Sequence, residues 1–305
     1  MKSDIPSPAN GITPTLAELI ALRSHVLAWP PPAKGSARDA GPAPSPLRGR
    51  GMDYAESRVY AQGDDARHID WRVTARTGIA HTKVFHAERD RVTLLLADTA
   101  PTLYFGTRRC FKSVQAARVG ALAAWAAQRS GDRIAALRGS AVEAPRAPAG
   151  GSRGALRVLD ALVRWYAAPP AEDAGFAKAI ESASRLVKPG SRVVALVDPR
   201  STEGVPDARF TALSAHMDAV AVLLLDPLEL EPPAERVAFR AGEVRIELDL
   251  GERDVRGRWT ATFAGRFAAA RERLQRLGWR VLAMRTDDEP AAVLGALLPR
   301  RREAA

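Results

Sequence analysis

From Val92 onward the chain alternates short apolar runs with longer stretches of helical period. Val92–Ala97, Arg133–Leu137, Ser191–Val197 and Ala219–Leu225 read as buried strands, because continuous apolar runs of this length suit a strand covered on both faces. Between them, Lys112–Arg129 sets Val114, Ala117, Ala121, Leu122 and Trp125 on one helix face and stops before Gly131. Arg153–Tyr166, Phe176–Val187 and Pro206–Ala215 repeat the helical period. Strands alternating with helices predict an α/β fold, an open and mostly parallel sheet with helices on both faces. Arg236–Arg240 and Val244–Leu248, joined across Ala241, Gly242 and Glu243, alternate as a β-hairpin does, an insertion over 236–248. Gly265–Leu277 returns to helix, Arg280–Met284 supplies a last strand and Ala291–Leu298 a closing helix.

The chain before Val92 has a different texture. Thr15–Trp29 carries Leu16, Leu19, Ile20, Leu22, Val26 and Leu27 at helical spacing and ends at Pro30, Pro31 and Pro32. From Pro30 to Gly51, Pro, Gly, Ala, Ser and Arg dominate without apolar period, which predicts a flexible loop. The expected division is therefore an N-terminal helix and loop (1–50), a charged segment (51–91), the α/β domain (92–288) and a C-terminal helix with a basic tail (289–305).

Composition narrows the class. With 305 residues, 46% hydrophobic and 26% charged, the chain can bury a core without disulfides or metals. No apolar run approaches the roughly 20 residues of a membrane-spanning helix, and the start has no signal-peptide pattern. The expected location is cytoplasmic. One cysteine, Cys110, excludes an internal disulfide and a thiolate zinc cluster. The net charge of +10 comes largely from arginines interleaved with acids along the whole chain, which suits a salt-bridged surface. A nucleic-acid binder acting through that charge is the lower alternative, and no nucleic acid is expected as a partner. Neither Gly-x-x-x-x-Gly-Lys-Ser/Thr nor Gly-x-Gly-x-x-Gly is present.

Candidate chemistry falls in two places. In open parallel sheets ligands bind beyond the carboxyl ends of the strands, and three predicted strands end there in an acid: Asp98, Asp198 and Asp226. Carboxylates at one edge can hold Mg²⁺, which wants oxygen ligands in an octahedron; the bland alternative is that they cap strand ends and begin turns. The run Asp98-Thr99-Ala100-Pro101-Thr102 resembles the metal-ion-dependent adhesion site of the von Willebrand factor A fold, Asp-x-Ser-x-Ser. Asp98, Thr102 and Asp198 match the first, third and last ligands that this resemblance implies. Ala100 replaces a serine, and Ala174-Gly175 stands where a threonine should fall. The expectation is weak Mg²⁺ binding or no cofactor.

The second place is Arg58 to Arg76. Here Asp64, Asp65 and Asp70 have Arg58, Arg67, Arg72 and Arg76 as prospective ion-pair partners, Gly63 suits a tight turn, and Tyr60 and Trp71 are anchors with a polar handle. Read as a catalytic cluster, Asp64, Asp65, His68 and Asp70 would make a metal-dependent hydrolase, although no established ligand spacing supports it. The pattern Arg58-x-Tyr60-x-x-Gly63-Asp64-Asp65-x-Arg67-x-Ile69-Asp70-Trp71-x-x-x-Ala75-Arg76 is similar to the hallmark of the family called domain of unknown function 58, a match dense over Gly49–Gly106 and continued in Phe111–Arg133. That resemblance implies a von Willebrand factor A-like bacterial protein of the soluble branch, encoded beside a MoxR-type AAA+ ATPase. It implies a non-enzymatic adaptor of that ATPase, assisting assembly or maturation of client proteins, with the hallmark residues as the partner-binding set.

Overall fold

A computed structural model of the chain describes residues 11–29, 52–61, 64–87, 91–241 and 243–297. Among these, residues 52–61 with 64–87 form one compact unit, and residues 11–29 with 91–297 form another. The expected loop over 30–51 and the basic tail from 298 lie outside the described residues.

The larger unit opens with two short helices, α1 (Leu16–Ala21) and α2 (Arg23–Ala28), which meet at Leu22 in place of the single helix expected. The smaller unit holds β1 (Met52–Val59), β2 (His81–Ala87) and, between them, α3 (Trp71–Thr77). β1 and β2 pair antiparallel from Met52↔Ala87 to Val59↔His81, a ribbon that the sequence reading did not resolve.

The larger unit continues with β3 (Val92–Ala97), α4 (Lys112–Arg129), β4 (Arg133–Arg138), β5 (Arg146–Ala149), α5 (Gly151–Ala167), α6 (Gly175–Leu186) and β6 (Arg192–Val197). There follow α7 (Asp207–Ser214), β7 (Asp218–Leu225), α8 (Pro227–Leu230), β8 (Arg236–Ala241), β9 (Val244–Asp249), α9 (Arg253–Arg276), β10 (Arg280–Arg285) and α10 (Leu294–Leu297). The sheet has six strands in the order β10-β7-β6-β3-β4-β5. All neighbours are parallel except β5, which runs antiparallel to β4 at the edge. The prediction lacked β5, a four-residue strand containing Pro148, and such a residue is tolerated only at an edge.

Period-two alternation assigns the strands to two cores. Leu95, Ala97, Ile134, Ala136, Val194, Leu196, Val222 and Leu224 face α1, α2, α4, α5 and α10. Leu94, Leu96, Ala135, Leu137, Val193, Ala195, Val197 and Leu223 face α6, α7 and α9. The register keeps like with like, Leu95 beside Ala136 and Val194, Leu94 beside Ala135 and Val193.

Two features correct the sequence reading. First, α4 is buried from Lys112 to Ala127 and not on one face alone, because it is wedged between the sheet, α5 and the N-terminal helices. Gly120 makes the fit possible, since a Cβ there would lie 2.8 Å from Leu162 Cδ1 and 3.0 Å from Leu196 Cδ1. Second, α9 begins at Arg253, well before Gly265. Its first half is anchored by Trp259, whose ring packs 5.2 Å from Phe239 of β8 and 4.5 Å from Phe263, while its indole N–H donates to the Leu228 carbonyl.

The division expected at residue 50 is also not that of the fold. Leu19, Leu22 and Val26 enter the same core as Trp125, Leu159 and Leu162, the Trp125 indole donates to the Leu19 carbonyl at 3.0 Å, and Arg118 pairs with Glu18 at 2.6 Å with both side chains buried. Removing one member of a buried pair costs roughly 3–5 kcal/mol, because the other charge is stranded. Arg118→Met is therefore expected to melt well below wild type, and Arg118→Met with Glu18→Met to recover most of the loss. Thermal unfolding followed by circular dichroism checks this; a single variant as stable as wild type would show that the pair does not hold the helices.

Candidate functional site

β3 lies between β4 and β6, so the chain leaves β3 toward one side of the sheet and later crosses to the other. That reversal opens a crevice beyond the carboxyl ends of β3 and β6. Asp98 follows β3, Asp198 follows β6, and Asp226 follows β7.

Asp98 straps the two sides together. Its Oδ1 accepts the Ala100 N–H at 3.0 Å and its Oδ2 the Asp198 N–H at 3.0 Å. Burial pushes its pKa up to about 6, against hydrogen bonds from Ser201 and the Asp198 and Ala100 N–H groups. Asp198 caps the turn that follows β6 by accepting the Arg200 N–H on Oδ1. Its Oδ2 accepts from Lys112 Nζ at 2.7 Å, and the same ammonium donates to Glu229 Oε1 at 2.7 Å. Burial opposes the charge on Lys112, but Asp198 and Glu229 more than offset it and hold the ammonium above its ordinary pKa. Burial lifts Glu229, and Lys112 draws it only part of the way back. Glu229 Oε2 takes the Asp226 N–H at 2.8 Å, and Asp226 in turn accepts from the Thr107 N–H and hydroxyl, the Thr286 hydroxyl and the Leu228 N–H. Asp226 thus sits in a capping box at the start of α8.

Thr102, in the turn after β3, lines a cleft of about 220 Å³ together with Asp198, Arg200, Glu229, Phe263 and Arg266. Its Oγ1 is buried with no hydrogen-bond partner among the described residues. The structure therefore brings Asp98 and Asp198 into direct contact and puts Thr102 on the cleft that Asp198 lines. Ala100 offers this crevice only a backbone N–H. The residues present do not fit a divalent cation, because both carboxylate oxygens of Asp198 are taken, Oδ1 by the Arg200 N–H and Oδ2 by the Lys112 ammonium.

Lys112 and Glu229 escaped the sequence reading. A cue was present: Lys112 is the first residue of an 18-residue helix, where the macrodipole disfavours a cation. A lysine there implies carboxylates nearby.

The hallmark segment is built from local pairs. Arg58 Nη2 meets Asp64 Oδ1 at 2.6 Å, the Ala61 N–H donates to Asp64 Oδ2, and the Tyr60 hydroxyl donates to the Asp64 carbonyl. The Ala61 N–H, burial and Arg58 act on the Asp64 carboxyl, with a net depression of its pKa. Asp65 caps a short turn and pairs with Arg67 at 2.8 Å, which holds its carboxyl far below the usual range. Asp70 differs from expectation: it takes no arginine among the described residues. It accepts the Ser57 hydroxyl at 2.6 Å and the Val73 N–H at 3.2 Å, capping α3, and these bonds lower its pKa. Arg72 and Arg76 are exposed and make no ion pair among the described residues. Gly63 lies outside the described residues. Nor do Asp64, Asp65, Asp70 and His68 converge as a hydrolytic cluster would: each aspartate is turned to its own partner, and among the described residues no three His, Cys, Asp or Glu side chains gather as a metal set. Trp71, at the start of α3, is 70% exposed, with Val59 and Ile79 also exposed on the same unit.

Of the weaker candidates, Cys110 is buried, which raises its thiol pKa, and it donates to the Thr286 carbonyl. His81 places Nδ1 2.7 Å from the Ile79 carbonyl.

The raised pKa of Asp98 gives a pH signature. Its folded value lies above the unfolded one near 3.8, so the native state binds the extra proton between them. The stability this contributes is present below pH 4 and is lost as pH rises through about 6, on the order of 2–3 kcal/mol. Denaturant melts of wild type and Asp98→Asn across pH 4–7 should show that part of the slope in wild type only. An unchanged slope in the variant would place the titration elsewhere.

The family described as protein of unknown function DUF58 matches residues 56–269. Two uncharacterised proteins, one from Mycobacterium tuberculosis and one from Mycobacterium bovis, are each 30% identical over 268 residues, covering 85% of this chain and 82% of their own. Among solved structures, an aerotolerance-related membrane protein from Bacteroides fragilis is similar at a TM-score of 0.44 and 14% identity, covering 68% of this chain and 96% of that one. The family match takes in the hallmark from Arg58 to Arg76 together with Asp98, Lys112, Asp198 and Glu229. On that match and on the mycobacterial relatives, the chain belongs to the family described as protein of unknown function DUF58.

Proposed function

We propose that the chain is a non-enzymatic adaptor on a von Willebrand factor A-like scaffold, which engages a MoxR-type AAA+ ATPase and assists assembly or maturation of client proteins. The observation that carries this reading is Trp71. The acids of the hallmark are consumed by caps and local ion pairs, while the tryptophan beside them stands 70% exposed, flanked by the exposed Arg67, Arg72 and Arg76. Aromatic and arginine side chains in an exposed cluster are the composition of a protein-binding hot spot. A catalytic reading would want the carboxylates convergent and the aromatic residue packed. None of the described helices is long and apolar enough to cross a membrane, which accords with a partner reached from the aqueous side.

The test is titration calorimetry of the full chain with a MoxR-type AAA+ ATPase from the same organism. Trp71→Ala is expected to weaken binding by tenfold or more with an unchanged melting temperature, since an exposed side chain contributes little to the core. Equal affinity in a folded Trp71→Ala would remove the hallmark from the interface. Binding to an oligonucleotide that falls steeply with salt would favour the nucleic-acid reading instead.

A further inference from the structure

We propose that the Lys112 ammonium stands where a divalent cation would otherwise sit, so that the crevice between β3 and β6 carries its own cation and takes no metal while Lys112 is present. The geometry carries this. Nζ lies 2.7 Å from Asp198 Oδ2 and 2.7 Å from Glu229 Oε1. The lysine side chain is 2% exposed and Asp198 6%, so water does little to screen them. Asp98, 1% exposed, touches the Asp198 backbone in the same pocket. Asp198 and Glu229 therefore share one ammonium, which comes from α4.

A magnesium ion would need several oxygens at about 2.0–2.1 Å in an octahedron. Asp198 Oδ2 is occupied and Ala100 has no side-chain oxygen, while both oxygens of Asp98 already accept backbone N–H groups. An ion entering beside Asp198 would also face the ammonium across a few ångströms of low-dielectric interior, where like charges repel strongly. Displacing Lys112 would strand its charge in the core. The lysine's own position argues the same way: it begins a long helix against the macrodipole, a placement that the two carboxylates compensate. Without the ammonium, Asp198 and Glu229 regain free oxygens, and Thr102, whose buried Oγ1 has no partner among the described residues, lines the same cleft. The proposal therefore predicts a latent cation site uncovered by removing Lys112. It does not depend on the adaptor reading, and either can fail alone.

The experiment compares wild type, Lys112→Met, and Lys112→Met with Glu229→Gln. The double variant removes one acid with the cation, which keeps the test open if the single variant misfolds. Mn²⁺ uptake is read by loss of the free-ion electron paramagnetic resonance signal, and melting temperature with MgCl₂ or MnCl₂ against NaCl of equal ionic strength. Wild type should take up no Mn²⁺ and melt at the same temperature in every salt. Lys112→Met should melt lower by roughly 6–20 °C and recover roughly 5–10 °C at a hundredfold excess of Mn²⁺ over its Kd. The double variant should melt closer to wild type and still take up Mn²⁺. The proposal is overturned if wild type binds Mn²⁺ in a way that Asp98→Asn abolishes, or if a folded Lys112 variant takes up none.

Discussion

The buried ammonium of Lys112 is the contact on which the rest of the sheet edge depends. One atom on the first turn of α4 reaches acids that follow β6 and β7, and the Glu229 it holds passes the tie on to the Asp226 N–H. The Asp98 carboxylate closes the set from β3. Three strand ends and one helix are thus fixed by charge-assisted bonds at about 2.7–3.0 Å in a region nearly closed to water. Burying charges in this way is favourable only when each lone pair and proton finds a partner. Here the oxygens of Asp98 and Asp198 and those of Glu229 all accept, and burial raises the proton affinity of Asp98.

That demand explains the character of α4. A helix packed on all sides should be wholly apolar, yet this one carries Lys112, Gln115 and Arg118 inside the core. Each closes a polar gap at a chain crossing. Gln115 donates to the carbonyls of Arg285, the last residue of β10, and of Asp288 just after it, and Arg118 meets Glu18 of α1. The rest of the helix is largely alanine, which lets it approach the sheet, with Gly120 at the tightest point. The helix is a hub because its few polar residues are long enough to reach neighbours that its small ones bring close.

Strands and helices of the α/β unit were legible because a buried parallel strand has a simple signature: Val92–Ala97 and Lys112–Arg129 match their predicted limits. Elements whose stability comes from tertiary partners were not. β5 is short and proline-bearing, the ribbon of β1 and β2 lies in a charged stretch, and the first half of α9 is rich in arginine, its apolar stripe reduced to Trp259 and Phe263. The site divides similarly. Asp98 and Asp198 were marked by their place after strands, a local property. Glu229 became visible only when the chain was folded, since it lies 117 residues from the lysine it binds.

The arginine excess finds its use in the same physics. Arg273 donates to the Thr202 and Val205 carbonyls and pairs with Asp207; Arg280 reaches the Ala296 carbonyl and Asp218; Arg138 joins the Glu172 carbonyl to Glu143. The planar fork of guanidinium can serve a carboxylate and a backbone oxygen at once, so it satisfies the carbonyls that loops and helix ends leave open. Each such ion pair is itself neutral, so these arginines owe their places to the carboxylates and carbonyls they satisfy and not to the net charge of +10. In the hallmark segment similar local ties hold Asp64, Asp65 and Asp70, while Trp71 stands exposed beside them.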